Sequence, residues 1–360
     1  MRSPRIKNRS GFTLVELLVV MAILLVLAGL LFPAIFSARA KARSVRCQSQ
    51  LRQIGFAIME YADTNKGLYP PFRWNDGGKL DPMNPPPMNI DLGLASVAFT
   101  KPRWNVVIAP FIEGSLDIEI LDPDGDGFPN YDDDHTPYAN QVFICPDSSE
   151  RTTSRNGSYG FNYQFIGHAR QFRDTIDRPF GKPWINYPVS SGSIKANSRT
   201  ILVADSFGTA SSIAEALRSP WSGETNNCTA RGNHSYSLDP PVPYFTDGNQ
   251  VQMGLLSSGS CEKLTGGFSG AEGRHNGRAN IVFADGHVES MTPEEMGYIV
   301  RADGSYAYNN LEELYTDKNG NGVPDRRDEW VATNRLFTGT GLHRLLPLQW
   351  RDAGTGTGRF

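Results

Sequence analysis

The chain's hydrophobic pattern changes character near residue 40. Leu17 to Phe36 are twenty consecutive residues without a charge or a side-chain hydrogen-bonding group. A helix of about 20 apolar residues crosses the hydrocarbon core of a bilayer. Beyond this run the pattern becomes one-sided. Ala40, Ser44, Cys47, Leu51, Ile54, Ile58 and Tyr61 recur at alternating spacings of four and three, a stripe that buries one face of a helix. Arg43, Arg46, Gln48, Gln50, Arg52 and Gln53 lie between them, and Asn65-Lys66-Gly67 followed by Pro70-Pro71 ends the pattern. The spacing predicts a helix from Phe12 to about Asn65, ~80 Å long at 1.5 Å per residue. Its first half lies in lipid and its second half is the spine of a water-soluble head.

Residues 72–140 are rich in Pro, Gly, Asn and Asp, with a short apolar stretch at Trp104 to Ile112, and read as long loops with little regular structure. Strand-like runs follow at Val142-Phe143-Ile144, Ser158 to Phe165, Thr200 to Ala204 and Asn280 to Met291. In the last, Asn280 to Ala284 and His287 to Met291 flank Asp285-Gly286, which predicts a hairpin with a two-residue turn. Thr292-Pro293-Glu294-Glu295 then has a capping-box pattern with proline at the first helical position, predicting a short helix. The expected fold class is α+β: a long N-terminal helix packed on an antiparallel sheet.

Composition narrows the function classes. The 360 residues carry a net charge of −3, with 39% apolar and 20% charged residues. That is enough chain for a proper core, and the near-neutral balance excludes wholesale nucleic-acid binding through a basic surface. Gly 36 and Pro 24 indicate a loop-rich fold short of disorder. Arg2, Arg5, Lys7 and Arg9 precede the apolar run, and Ala38-Arg39-Ala40 mimics a signal-peptidase site. A signal peptide's apolar region is typically about 7–15 residues, however, and this one is longer and opens with Glu16. An acid at the bilayer centre costs about 2.5–3.5 kcal/mol on insertion scales and less near an interface, so Glu16 calls for a partner or for a place at the headgroups. Arg39, Lys41, Arg43 and Arg46 balance the leader's charges, so the positive-inside rule leaves the topology open.

Gly11-Phe12-Thr13-Leu14-Val15-Glu16 after a short basic leader resembles the processing site of type IV prepilins and type II secretion pseudopilins. The resemblance implies cleavage after Gly11 by a prepilin peptidase on the cytoplasmic side and methylation of the new terminal amine of Phe12. It also implies pairing of Glu16 with a neighbouring subunit's terminal amine during assembly, and it places Pro33 where these proteins often carry a helix-kinking proline. The N-terminus is then cytoplasmic, the anchor a single pass of the bacterial inner membrane, and the head periplasmic or held in a filament. His275, nine residues and then Asp285-Gly286 resemble the H-x9-D-G element of a large group of prepilin-like proteins. Cys47-Gln-Ser-Gln-Leu-Arg-Gln-Ile-Gly55, Ser158-Tyr-Gly-Phe-Asn162 and Ala204-Asp205-Ser206 fit the same group. The hairpin turn alone explains Asp285-Gly286, and His275 suits a cap on the loop entering the strand. A metal site from His275, Asp285 and His287 lacks zinc-like ligand spacing.

Two oxygen-rich segments share one register. Asp122, Asp124, Asp126, Asn130 and Asp133 stand at positions 1, 3, 5, 9 and 12 of a calcium loop, with Gly127 at 6 and the Phe128 carbonyl at 7. Asp317, Asn319, Asn321, Asp325 and Asp328 repeat the spacing, with Gly322 at 6 and Val323 at 7. Asp at position 12 resembles thrombospondin-type and dockerin loops, which implies structural Ca2+; acidic surface turns are the alternative. For an exported head, Cys47–Cys145 and Cys228–Cys261 are the preferred disulfides among three connectivities, with free buried thiols as the alternative.

No nucleophile elbow, H-E-x-x-H, phosphate loop or Cys-His pair in context is found, so no enzyme is expected. The expected organisation is leader 1–11, membrane helix 12–36, spine 37–66, head 67–300 and a C-terminal extension 301–360. The expected function is a structural pseudopilin-like subunit, minor or specialised, working with prepilin peptidase and other pilin subunits. The alternative is an anchored surface module that recognises glycans or envelope polymers through Phe128, Tyr131 and Tyr138; an anchored hydrolase ranks last.

Overall fold

The computed structural model describes residues 14–71, 103–112, 141–148, 157–167, 169–171, 184–186, 189–219, 228–232, 234–242, 245–246, 250–251, 268–308, 311–318, 320 and 329–342. Helix α1 runs Leu14–Thr64, and the chain divides into two compact units between Arg43 and Ser44. In the first unit, Leu14 to Phe36 are apolar on every face except for Glu16 in the first turn, with Leu14, Leu25 and Leu30 exposed by 79, 70 and 73%. Pro33 lies inside the helix, where its missing N–H removes the donor that would bond the Gly29 carbonyl.

In the second unit, α1 is one-sided as its spacing predicts: Cys47, Leu51, Ile54, Ile58 and Tyr61 are all 0% exposed. The helix ends as its punctuation implies. Lys66 and Gly67 take left-handed φ of 57 and 79°, the Gly67 N–H returns to the Ala62 carbonyl at 2.8 Å, and Asn65 Nδ2 donates to the Tyr61 carbonyl at 2.7 Å.

Besides six single-turn 3-10 helices, the other described elements are helix α2 (Trp104–Ile108), helix α3 (Leu311–Leu314) and eleven short strands. The strands are β1 (Tyr159–Phe161), β2 (Ala169–Gln171), β3 (Trp184–Asn186), β4 (Ile201–Gly208), β5 (Phe245–Thr246) and β6 (Gln250–Val251). They continue as β7 (Gly270–Ala271), β8 (Ala279–Phe283), β9 (Val288–Met291), β10 (Tyr315–Thr316) and β11 (Glu329–Trp330). The main sheet is antiparallel in the order β1-β4-β8-β9, with β7 also on β4; β2-β3, β5-β6 and β10-β11 form separate pairs. This is the expected α+β layout.

Strand β4 is the buried centre. β8 pairs with it at Ile201, Val203 and Ala204 and β7 at Ser206 and Gly208, so β7 and β8 lie end to end along one edge of β4. A register shift between Ile201 and Val203 interrupts the alternation of sides. Leu202 and Val203 therefore both join the helix-side core with Leu51, Ile54 and Ile58. Ile201 and Ala204 join an aromatic core of Phe268, Tyr298, Tyr306 and Phe337. Gly55 lets α1 settle on β8, because a Cβ there would stand 2.5 Å from Val282 Cγ2.

Several expectations change in detail. Val142 and Phe143 sit in a 3-10 turn (Gln141–Phe143), not a strand; a three-residue apolar run carries no period to tell the two apart. Trp104 to Phe111, expected within loops, is helical, with Trp104 buried and stacked on Phe161 at 5.4 Å. The hairpin exists, with Ala279 opposite Met291 and Val282 opposite Val288, but its turn is longer than two residues. The Phe283 N–H bonds the His287 carbonyl at 3.0 Å, and Gly286 N–H the Phe283 carbonyl at 2.9 Å. Only Gly286, not Asp285, has positive φ (85°), as in a type I turn closed by a left-handed glycine. The capping box forms reciprocally, with Thr292 N–H on Glu295 Oε2 at 2.7 Å and Glu295 N–H on Thr292 Oγ1 at 3.2 Å. It holds one turn rather than a helix, because Gly297 (φ 101°) and Tyr298 close it on the Glu294 and Pro293 carbonyls. The expected extension 301–360 is, where described, part of the head: Tyr306, Tyr308 and Phe337 are buried in the aromatic core.

Candidate functional site

Two places concentrate chemistry. The first is the apolar segment of α1 with Glu16 in its first turn; it is the one described helix long and apolar enough to cross a membrane. Gly11 and Phe12 lie outside the described residues.

The second is a buried polar cluster in the head, and the sheet builds it. Between β7 and β8 the chain leaves β4 for a tight excursion, Glu272 to Arg278. Gly277 N–H bonds the Gly273 carbonyl at 2.9 Å and His275 N–H the Arg278 carbonyl at 3.0 Å. Asn276 and Gly277 take left-handed φ of 56 and 81°, and a Cβ on Gly273 would meet the Gly277 carbonyl oxygen at 2.7 Å. The glycines thus permit a loop that no bulkier pair fits. The excursion lies beside Asp205 of β4, whose carbonyl accepts Glu272 N–H at 2.8 Å and whose Oδ2 accepts Asn280 N–H at 2.8 Å.

On Asp205 converge His275 from the excursion (Nε2 to Oδ2, 3.3 Å), Cys47 from α1 (Sγ to Oδ1, 3.5 Å) and Arg274 (Nε to Oδ1, 3.8 Å). Cys145, which follows the Gln141–Phe143 turn, places Sγ 3.4 Å from His275 Nε2. All four ligand-type residues, Cys47, Cys145, Asp205 and His275, are buried, and their donor atoms lie within 4.8 Å of one another. Around them, Asp147 holds His275 Nδ1 at 2.8 Å, Tyr159 donates its hydroxyl to Cys47 Sγ at 3.2 Å, and Arg274 reaches Glu272 at 2.5 Å and the Ser206 carbonyl at 2.6 Å.

The electrostatics follow from this packing. Burial opposes ionisation of both thiols, and the Asp205 charge adds to it. Cys47 is pushed well above the usual thiol range by burial and by its contact with Cys145. Cys145 is held down at about 6, because hydrogen bonds from Cys47 and His275 and the Arg274 charge overcome the burial. Burial likewise opposes a charged His275, but Asp205 and Cys145 outweigh it and hold the imidazole at about 10. The two thiols titrate as a coupled pair, with ionisation favoured at Cys145 and opposed at Cys47.

The residues singled out from sequence distribute as follows. Cys47 and Cys145, expected as a disulfide, are free thiols; each is engaged with Asp205 or His275 instead. Cys228 is disulfide-bonded, and Cys261 lies outside the described residues. His275 is not with Asp285 and His287, which pair with each other at 2.5 Å on the exposed hairpin turn, His287 lying flat on Phe283 at 4.3 Å. Gly286 sits against α1, where a Cβ would meet Met59 Cε at 2.8 Å. All of Asp122, Asp124, Asp126, Phe128, Asn130 and Asp133, together with Tyr131 and Tyr138, lie outside the described residues, as do Asn319, Asn321, Val323, Asp325 and Asp328. Asp317 is described, and its Oδ1 accepts Gly320 N–H at 2.7 Å.

Sequence reasoning paired Cys47 with Cys145, named Asp205 and His275 in separate motifs, and missed the union of the four, along with Asp147, Arg274 and Glu272. One signal was present. Asp205 stands inside a strand otherwise built for burial, Ile201-Leu-Val-Ala-Asp-Ser-Phe, and a carboxylate there needs partners.

An apolar helix opening on an acid, joined to an antiparallel head, defines a type IV prepilin-like protein, and residues 6–32 match the prokaryotic N-terminal methylation motif. Such a motif implies processing by a prepilin peptidase and assembly with other pilin subunits; with the apolar helix it marks a membrane-anchored, single-pass protein with an exported head. Residues 36–294 match the family described as protein of unknown function (DUF1559), and the chain belongs to that family. No curated protein and no solved structure matches the chain.

Proposed function

We propose that the protein is a non-enzymatic, minor or specialised subunit of a type II secretion or type IV pilus-like filament in the bacterial inner membrane. The observation that carries the reading is the Leu14 to Phe36 surface, apolar on all sides with one acid in its first turn. In lipid such a surface gains most by packing against like helices, where interhelical contacts replace lipid contacts. Peptidase cleavage frees the Phe12 amine, and Glu16 meets a neighbour's amine at low dielectric, where both charges favour pairing. The heads then lie outside the helical core.

The 122–133 and 317–328 loops are Ca2+ sites in this reading. Their donors are all oxygens, five in each loop from side chains, and glycine at position 6 permits the sharp turn. The ion would brace the loops in millimolar extracellular calcium rather than sense it.

The test is Glu16→Ala in cells, with cysteines placed in residues 12–35 for crosslinking. Processing to a chain beginning at methylated Phe12 should be intact, and the ladder of crosslinked species seen with Glu16 should be lost. Ladders unchanged by the substitution would refute the role of Glu16. An absence of ladders from the unsubstituted chain would favour a solitary anchor presenting a binding module.

A further inference from the structure

We propose that Cys47, Cys145, Asp205 and His275 bind one zinc-class divalent cation as a closed structural site, which fastens the head's helix to its sheet. The inference is independent of the filament reading above.

Four tetrahedral ligands at zinc's bond lengths of about 2.0–2.3 Å stand ~3.3–3.8 Å apart. Three of the six ligand pairs, between residues from four separate parts of the chain, show that spacing, and all six lie within 4.8 Å. Cys145 Sγ to His275 Nε2 is 3.4 Å, His275 Nε2 to Asp205 Oδ2 is 3.3 Å, and Cys47 Sγ to Asp205 Oδ1 and Oδ2 is 3.5 and 3.8 Å. The donors suit the ion: two sulfurs, an imidazole nitrogen and a carboxylate oxygen are ligands zinc accepts, whereas calcium and magnesium take oxygen alone.

The surroundings match a metal site more fully than a chance polar pocket. Asp147 stands 2.8 Å from His275 Nδ1, on the side of the ring away from the cluster, where carboxylates commonly lie behind ligating histidines. Tyr159 and the Asn280 N–H support the Cys47 sulfur and the Asp205 carboxylate. Two thiolates and one carboxylate around a dication leave a single negative charge, and Arg274, shared with Glu272, lies 3.8 Å from Asp205 to offset it. All four ligands are buried, and four protein ligands fill a tetrahedral shell, so the site is structural rather than catalytic. Binding requires two thiolates and an unprotonated His275 Nε2, so whatever protons the thiols and the imidazole carry are released to solvent, and no electron changes hands.

The test uses the full chain in detergent, kept reduced and titrated with Co2+ as a spectroscopic stand-in for zinc, followed by zinc competition and metal analysis. The expected result is one ion per chain, with thiolate-to-cobalt charge-transfer absorption, the intense d–d bands of a tetrahedral site, and displacement by zinc. Cys47→Ser should remove the charge-transfer intensity in part and His275→Ala should abolish stoichiometric binding, while His275→Cys, which restores a ligand, should retain it. Asp147→Asn keeps all four ligands and should weaken binding by about 10–100-fold. The titration of the unsubstituted chain decides the matter even if a variant misfolds. Absence of a tetrahedral cobalt spectrum from the folded chain would overturn the proposal. So would a spectrum indifferent to Cys47 and His275, or a native Cys47–Cys145 disulfide.

Discussion

One helix, α1, serves two environments, and its two halves are built on opposite rules. From Leu14 to Phe36 apolar side chains face every direction; from Cys47 to Tyr61 all but the exposed Phe56 face the sheet, with Arg52 and Gln53 left outward. A helix that is apolar all round is stable where nothing polar surrounds it, whereas a one-sided helix needs a specific sheet to cover its stripe. The head half is also where charge is buried. Asp205, Glu272, Arg274 and His275 are nearly inaccessible, held by partners from the same chain. Stability of the head should therefore depend on a few residues of exact fit, and the membrane half should be insensitive to any one of them.

Urea unfolding of the full chain in detergent, followed by head tryptophan fluorescence, can break that contrast. The largest effect is expected for Arg274→Ala. It leaves Glu272 with only the half-exposed Arg231 and Asp205 with only His275 as cationic partners, and should cost at most about 3–5 kcal/mol; a loss under about 1 kcal/mol would show that those remaining partners suffice.

The next effect is a pH dependence. Burial pushes the Asp239 carboxyl up to about 7, against hydrogen bonds from the Tyr163 hydroxyl and the Ser269 N–H. The folded state therefore holds a proton that the unfolded chain releases near pH 4. The Asp239 contribution to stability should fall as pH rises between about 4 and 7, by at most about 4 kcal/mol, and stay constant above that. Asp239→Asn should remove this slope from a pH series of unfolding midpoints; an identical slope in the variant would exclude Asp239 as its source.

Smaller effects follow from close packing. Gly55→Ala drives a methyl into Val282 and should cost about 1–3 kcal/mol as the helix lifts from β8. Leu24→Ala, in the other half of the same helix, should leave the head's midpoint within about 0.5 kcal/mol. A shift comparable to that of Gly55→Ala would mean that the two halves are energetically coupled.

The features legible in the sequence are those with a period. The membrane run, the Cys47 to Tyr61 stripe and the β8–β9 hairpin repeat over enough residues to be read directly. The turn between β8 and β9 was misjudged because Asp-Gly suits both a two-residue turn and the longer one, and only the φ of Asp285 separates them. Val142 to Ile144 is too short to show a period at all. The cluster was illegible for a different reason. Its residues lie at 47, 145, 205 and 275, and they meet only because β7 and β8 share one edge of β4 and the glycines of 273–277 allow a loop between them. Cys47 was recognised as buried but given the wrong partner type, since burial of a thiol is compatible with a bridge, a hydrogen bond or a ligand.

The order in which α1 acquires its neighbours has a kinetic cost. Cys47 meets Asp205 158 positions later, and Gln48 meets Asn280 and Ser290 across 232 and 242 positions. The first part of the head to be synthesised is thus the last to be covered. Contacts at such sequence distance form slowly, because a long loop must close before any of them is rewarded. Until β8 and β9 emerge, the greasy stripe of the spine stands open to the wrong neighbours, so a holding factor during translocation should raise the yield of correctly closed heads.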